Sequence, residues 1–266
     1  HTLLRDAAEG PAWKRALRAG RRWVWRLTGW EDYLARGQYA GAGRVIVHTR
    51  AHRHVLSSAG VPETKLAVIP QGVPAPDASA DPRAARRRLG LDGPLVVLFG
   101  FFTPAKGHDL ALAAWETASP PATLVIAGKP HAAAQETYAR RIRARAARTR
   151  GVRLLDYLPE RELTDLLAAS SLVLMPYRTG TSSYALSLAL RQGCAVLASD
   201  LPPFRELRDD GGCLALFRTG SARDLAVAAA GLLADAGERD RLHRAAAVWA
   251  QQHAWHRTAA DTAALY

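Results

Sequence analysis

Lysine is scarce in this sequence. Four lysines, Lys14, Lys65, Lys106 and Lys129, stand within a formal charge of +12 that comes almost wholly from arginine. Lys106 falls in Leu98-Phe-Gly-Phe-Phe-Thr-Pro-Ala-Lys-Gly-His-Asp109, which reads as a strand end, a tight turn and the start of a helix. In an open parallel sheet the carboxyl ends of the strands face the ligand crevice, so Lys106 would project its ammonium where an anionic group, such as a diphosphate, binds. The spacing is neither that of a P-loop nor that of the dinucleotide GxGxxG turn. Alone, a lysine at such a turn is more often a solvated charge.

A second segment, Pro176-Tyr-Arg-Thr-Gly-Thr-Ser-Ser-Tyr-Ala-Leu-Ser-Leu-Ala-Leu190, leads from a buried strand through small polar residues into an apolar helix. Ser182 or Ser183 can cap that helix, leaving backbone N–H groups and the positive dipole end aimed at the same crevice. An ordinary cap explains the serines equally well; it is the pairing with Lys106 that points to phosphate. Two further strand ends, Leu124-Val-Ile-Ala-Gly-Lys-Pro130 and Val152-Arg-Leu-Leu-Asp-Tyr-Leu-Pro-Glu160, open on that rim. There Lys129, Tyr157 and Leu158 would border a nucleobase and Glu160 would accept from ribose hydroxyls, although on spacing alone Tyr157 reads more readily as packing.

The elements that must hold these groups are short apolar runs with helical stretches between them, the pattern of a parallel sheet covered by helices. The runs are 44–48, 66–70, 95–100, 123–128, 152–155, 172–176 and 195–200, with 212–217 as an eighth. Most are continuous rather than alternating, as strands buried on both faces require. Gln71 to Pro82 carries proline and glycine at a density that stops regular structure, so the linker is placed there. Downstream, six strand–helix units suffice for a doubly wound Rossmann-like domain. The end of the chain, from about Glu238, reads as two helices, with Trp249, Trp255, Ala259 and Leu265 at roughly helical spacing.

In this order the segments resemble the C-terminal domain of the group-1 (family-4) retaining glycosyltransferases of the GT-B fold. Val45-Ile-Val-His-Thr-Arg and Leu66-Ala-Val-Ile-Pro-Gln-Gly-Val resemble the end of that family's acceptor-side domain. Gly193-Cys-Ala-Val-Leu-Ala-Ser-Asp200 and the Trp255 segment resemble its final strand and its returning helix. The resemblance implies an incomplete acceptor-side domain over 1–75, a nucleotide-sugar-binding domain over 76–248 and a helix packing back over 249–266. It implies metal-independent hexose transfer from a nucleoside-diphosphate sugar to a hydroxyl acceptor, with retention and without a cofactor. The acceptor class, whether glycan, lipid-linked sugar or small molecule, stays open.

Residue by residue, Lys106 matches the family's diphosphate lysine. Gly100 and Phe101 occupy the turn where relatives usually carry an arginine, so one cation is missing. Ser183, Tyr184 and Ala185 fall at the helix N-terminus that faces the phosphates, and Gly180, Thr181 and Ser182 where the transferred sugar lies. The family's two glutamates, eight residues apart, fall at Gly180 and Leu188; the second normally contacts ribose. His1 matches a histidine near the reacting sugar, or is merely the edge of the chain. If the match holds, the chain begins part-way through the acceptor-side domain. The missing carboxylates keep a second reading open, a non-catalytic nucleotide-binding or assembly module on the same scaffold.

Composition narrows the remaining classes. Cys194 and Cys213, the two cysteines, sit in apolar surroundings without a CxxC pair or a histidine cluster, so they read as core residues suited to a reducing cytoplasm, and no metal site is expected. No apolar run reaches the roughly 18 to 20 residues that cross a bilayer. The stretch 12–27 alternates bulky apolar residues with arginines. This suits either packing against the rest of the domain or peripheral contact with the inner face of an anionic membrane. Arg140 to Arg153 holds seven arginines and no acid and reads as one solvated helix face; nucleic acid would rest on charge alone and is not expected.

Overall fold

A computed structural model describes Gly37 and residues 39–118, 120–180 and 182–266. The expectations placed on His1, on 12–27 and on Thr181 lie outside these residues. The chain falls into two compact units, one extending to Val47 and including His52–Val68, the other made of His48–Ala51 and Ile69–Tyr266. In the first, β1 (Val45–Val47) pairs in parallel with β2 (Leu66–Val68) over a small core of Val47, Leu56, Val61 and Leu66. Helix α1 spans Arg50–Ser58.

The second unit runs α2 (Pro82–Leu89), β3 (Leu95–Phe99), α3 (His108–Ala118), β4 (Thr123–Ala127), α4 (Glu136–Ala146), β5 (Val152–Leu155), α5 (Glu160–Ala168), β6 (Leu172–Met175), α6 (Tyr184–Arg191), β7 (Val196–Ser199), α7 (Pro202–Gly211), β8 (Leu214–Phe217), α8 (Ala222–Ala234), α9 (Ala236–Gln252) and α10 (Trp255–Ala263). Its six strands form one parallel sheet in the order β5-β4-β3-β6-β7-β8. This is the doubly wound arrangement expected from the sequence. The order reverses between β3 and β6, and in such sheets the crevice for a ligand opens at the carboxyl ends of the two strands flanking that point.

The continuous apolar runs are explained by the sheet being covered on both faces. Successive residues of a strand point to opposite sides. Accordingly Leu95, Val97 and Phe99 of β3 join one core with Val125, Val173 and Val196, while Val96 and Leu98 join the other with Leu124, Ile126 and Leu174. Helix starts and stops follow local chemistry. Asp81 accepts from the N–H groups of Arg83 and Ala84 at the head of α2, with Pro82 at the first helical position and Gly90 left-handed at the end.

One expectation needs correction. The arginine run is not one solvated helix face, because α4 ends at Ala146 and Arg153 lies on β5; Arg143 pairs with Glu136 and Asp156 and Arg145 with Glu116. The tail forms the two helices expected, separated at His253–Ala254; Trp249 is buried and Trp255 exposed. The Trp255 indole donates to the Gly72 carbonyl. Both cysteines are buried and unpaired, and burial pushes each thiol up to about 12. Among the described residues, no helix is long and apolar enough to cross a membrane.

Candidate active site at the β3 and β6 strand ends

Lys106 closes a short 3-10 turn, Pro104–Lys106, that Gly107 ends in the left-handed conformation. Gly107 is required twice over: its φ is 70°, and a methyl group there would overlap the Pro176 carbonyl at the end of β6. This close approach carries the turn across the crevice to the other side of the switch point. The Lys106 ammonium stands 3.8 Å above the centre of the Tyr177 ring and 3.5 Å from Ser183 Oγ. Tyr177 is buried and shares a 3.0 Å hydrogen bond with the same Ser183 oxygen.

Ser183 caps α6 and accepts from the Leu186 N–H, so the positive end of the helix dipole adds to the lysine charge. No carboxylate among the described residues pairs with Lys106, and burial lowers its pKa to about 8. A cation taken out of water without an acidic partner is costly to keep. A bound anion would offset that cost. His108, directly behind, is buried against Phe102 and Tyr138. Burial and the nearby Lys106 charge push it down to about 3, so it is neutral and adds no charge beside Lys106.

Arg178, two residues beyond Pro176, grips the same turn from the β6 side. Its guanidinium forks onto both oxygens of Asp109, each at 2.8 Å, and donates to the Pro104 carbonyl at 3.0 Å. Burial would raise the Asp109 carboxyl, but hydrogen bonds from Arg178 and Tyr138 outweigh it and hold the group below its ordinary value. Tyr177, Arg178 and Asp109 carried no role in the reading of the sequence. The signal for them was an aromatic–arginine pair directly after a strand end and an acid three residues after the informative lysine.

The residues expected to border a nucleoside lie as follows. Lys129 Nζ lies 4.1 Å over the Tyr157 ring, and Tyr157 is 61% exposed, so it is a surface ring and not packing. Phe101, 41% exposed, rests against His131 with ring centroids 4.5 Å apart. Glu160 pairs with Arg191 of α6 at 3.2 Å, and Arg191 also donates to Thr164 at 2.7 Å. Leu158 and Leu188 are partly buried against the core. Gly180 and Ser182 are exposed on the loop before α6, Tyr184 is half-exposed and Ala185 half-buried. Gly100, left-handed at φ 123°, donates from its N–H to the Ala127 carbonyl. Among the described residues, no cluster of three or more histidine, cysteine or acidic side chains could hold a metal.

Comparison with solved structures gives the same architecture. The chain superposes on Anabaena HepE, solved in complex with UDP and glucose, with a TM-score of 0.79 and 20% identity, covering 88% of this chain and 66% of that one. Against sucrose-phosphate synthase from Thermosynechococcus elongatus the values are 0.76, 20%, 88% and 60%. A glycosyltransferase from Rickettsia africae gives 0.75, 13%, 87% and 65%. The chain thus spans 60–66% of the length of these structures. No curated protein matches it by sequence. The family profile described as "Glycosyl transferases group 1" matches residues 93–235, from the start of β3 to the end of α8, and the chain belongs to that family.

Proposed function

We propose that the second unit binds a nucleoside-diphosphate sugar at the carboxyl ends of β3 and β6, and that the protein transfers the hexose to a hydroxyl acceptor with retention of configuration. Lys106 carries this reading: a half-buried ammonium with no carboxylate partner among the described residues, at the switch point, beside the capped end of α6. As the bond between the anomeric carbon and the diphosphate oxygen breaks, negative charge grows on the leaving group. The ammonium and the N–H groups of Tyr184 and Ala185, in the first turn of α6, would stabilise it. This assigns the countercharge to the chain itself and not to a metal ion.

Anabaena HepE is solved with UDP, with UDP and glucose and with UDP-glucose, which makes UDP the first donor nucleotide to test. Lys129, Tyr157 and Leu158 would line the base and Glu160 the ribose. On this reading residues 76–248 form the donor domain and 1–75 part of the acceptor side, with catalysis in the cytoplasm.

Calorimetric titration of the wild type and of Lys106→Ala with UDP and GDP tests the reading. Loss of one charge-assisted hydrogen bond should weaken binding by about 1.5–3 kcal/mol. Failure of a folded wild type to bind either nucleotide, or equal binding by the variant, would reject it. The second reading, a nucleotide-binding module without transferase activity, is favoured by one observation: Gly180 and Leu188 replace the two glutamates of the family pattern. Tight UDP binding with neither transfer nor hydrolysis of a donor sugar would select it.

A further inference from the structure

We propose that Arg178 is a positioning residue of the diphosphate site, acting through Lys106 by locking the lysine turn to the end of β6. The inference rests on the assignment of Lys106 to the diphosphate. A three-residue turn has little rigidity of its own, and a half-buried lysine with no acidic partner among the described residues gains by swinging fully into water as soon as its backbone can relax. The backbone on both sides of Lys106 is therefore what keeps the ammonium in the crevice.

Arg178 supplies anchors on both sides. Before the lysine, its backbone N–H donates to the Ala105 carbonyl at 2.8 Å and its guanidinium to the Pro104 carbonyl at 3.0 Å. After the lysine, the fork holds both Asp109 oxygens at 2.8 Å. Asp109 is fixed in turn by the Tyr138 hydroxyl at 2.8 Å, while Arg145 donates to its backbone carbonyl at 3.1 Å. The loop that carries Arg178 runs on to Ser183, the residue that meets the ammonium from the α6 side. One guanidinium thus ties the β3 half of the phosphate seat to the β6 half. A planar fork can do this and an ammonium cannot.

The experiment is a double-mutant cycle on the full chain with Arg178→Gln and Lys106→Ala. It is read with whichever of UDP or GDP the wild type binds more tightly, and with its nucleoside as control. Arg178→Gln should weaken the nucleoside diphosphate by about tenfold or more and leave the nucleoside unchanged. In the Lys106→Ala background the same substitution should cost less than about threefold, since a residue acting through Lys106 has nothing left to position. Unchanged affinity in Arg178→Gln, or losses that multiply in the double variant, would overturn the proposal. If Arg178→Gln does not fold, Arg178→Lys, which keeps the charge and loses the fork, is read by the same criteria. Equal binding by Lys106→Ala and the wild type removes the underlying assignment, whereas loss in Lys106→Ala with none in Arg178→Gln removes the positioning role alone.

Discussion

The Lys106 ammonium and the Tyr177 hydroxyl converge on a single atom, Ser183 Oγ, from 3.5 Å and 3.0 Å. The lysine comes from the turn after β3 and the tyrosine from the end of β6, so the contact joins the two strands at which the sheet reverses its order. No acidic group shares in it among the described residues.

A site held in this state gives up stability for charge. Lys106→Met should raise the melting temperature, because a side chain of similar length replaces a half-buried cation that lacks an acidic partner among the described residues, over the Tyr177 ring. A gain on the order of 1 kcal/mol corresponds to roughly 2–4 °C in a chain of this size. The same variant should lose nucleoside-diphosphate affinity. A thermal melt and a titration on one preparation check both; a fall in melting temperature would show that the ammonium contributes to the fold.

The pH dependence follows from the direction of the shift. Burial places the folded Lys106 near 8, below the ordinary lysine value of 10.5. Diphosphate affinity should therefore decline as pH rises through about 8, by at most tenfold per pH unit. Between about 8 and 10.5 the unfolded chain holds the proton that the folded chain has released. The contribution of this lysine to stability therefore grows with pH across that window while ligand affinity falls. In Lys106→Met both dependences should be absent, which titrations at pH 7, 8 and 9 would reveal.

Leu188 faces partly into the core, one helical turn before Arg191, whose guanidinium already holds Glu160 and Thr164. Residues three apart share a helix face, so a carboxylate at 188 has a cation within reach. Leu188→Glu should tighten nucleotide binding by about 1.5–3 kcal/mol, the range for a charged acceptor meeting a ribose hydroxyl, with a modest loss of melting temperature. A large loss of stability without any gain in affinity would mean that α6 does not present this position to the ribose.

Gly107→Ala should be severely destabilising. The left-handed backbone alone costs a side-chain-bearing residue about 1–3 kcal/mol, and the methyl group would also overlap the Pro176 carbonyl. Chemical denaturation should show a loss at or above that range, with diphosphate affinity falling alongside as the turn is pushed off β6. Wild-type stability in this variant would contradict the close approach of the two strand ends.

Much of the architecture was legible in the sequence for a definite physical reason. A strand buried on both faces must be apolar at nearly every position, and β3, β4, β6 and β7 announce themselves in that way; Gly100 and Gly128 mark the ends of β3 and β4. Lys106 was legible because lysine is rare here and stands directly after such a strand. The ion pair that flanks the Lys106 turn was not legible. Asp109 and Arg178 lie 69 residues apart and meet only because β3 and β6 are neighbours in the sheet, which no local pattern encodes. Tyr157 could not be told from a core aromatic by spacing, because its exposure depends on whether another element covers the end of β5. The arginines of α4 looked like one solvated stripe because a run of like charges in sequence does not show the acids that folding brings beside it: Glu116 reaches Arg145 from a different helix. Composition and periodicity thus determined the elements and the cation, whereas the pairing of strands decided which residues surround that cation, since such contacts are set by sheet order and not by distance along the chain.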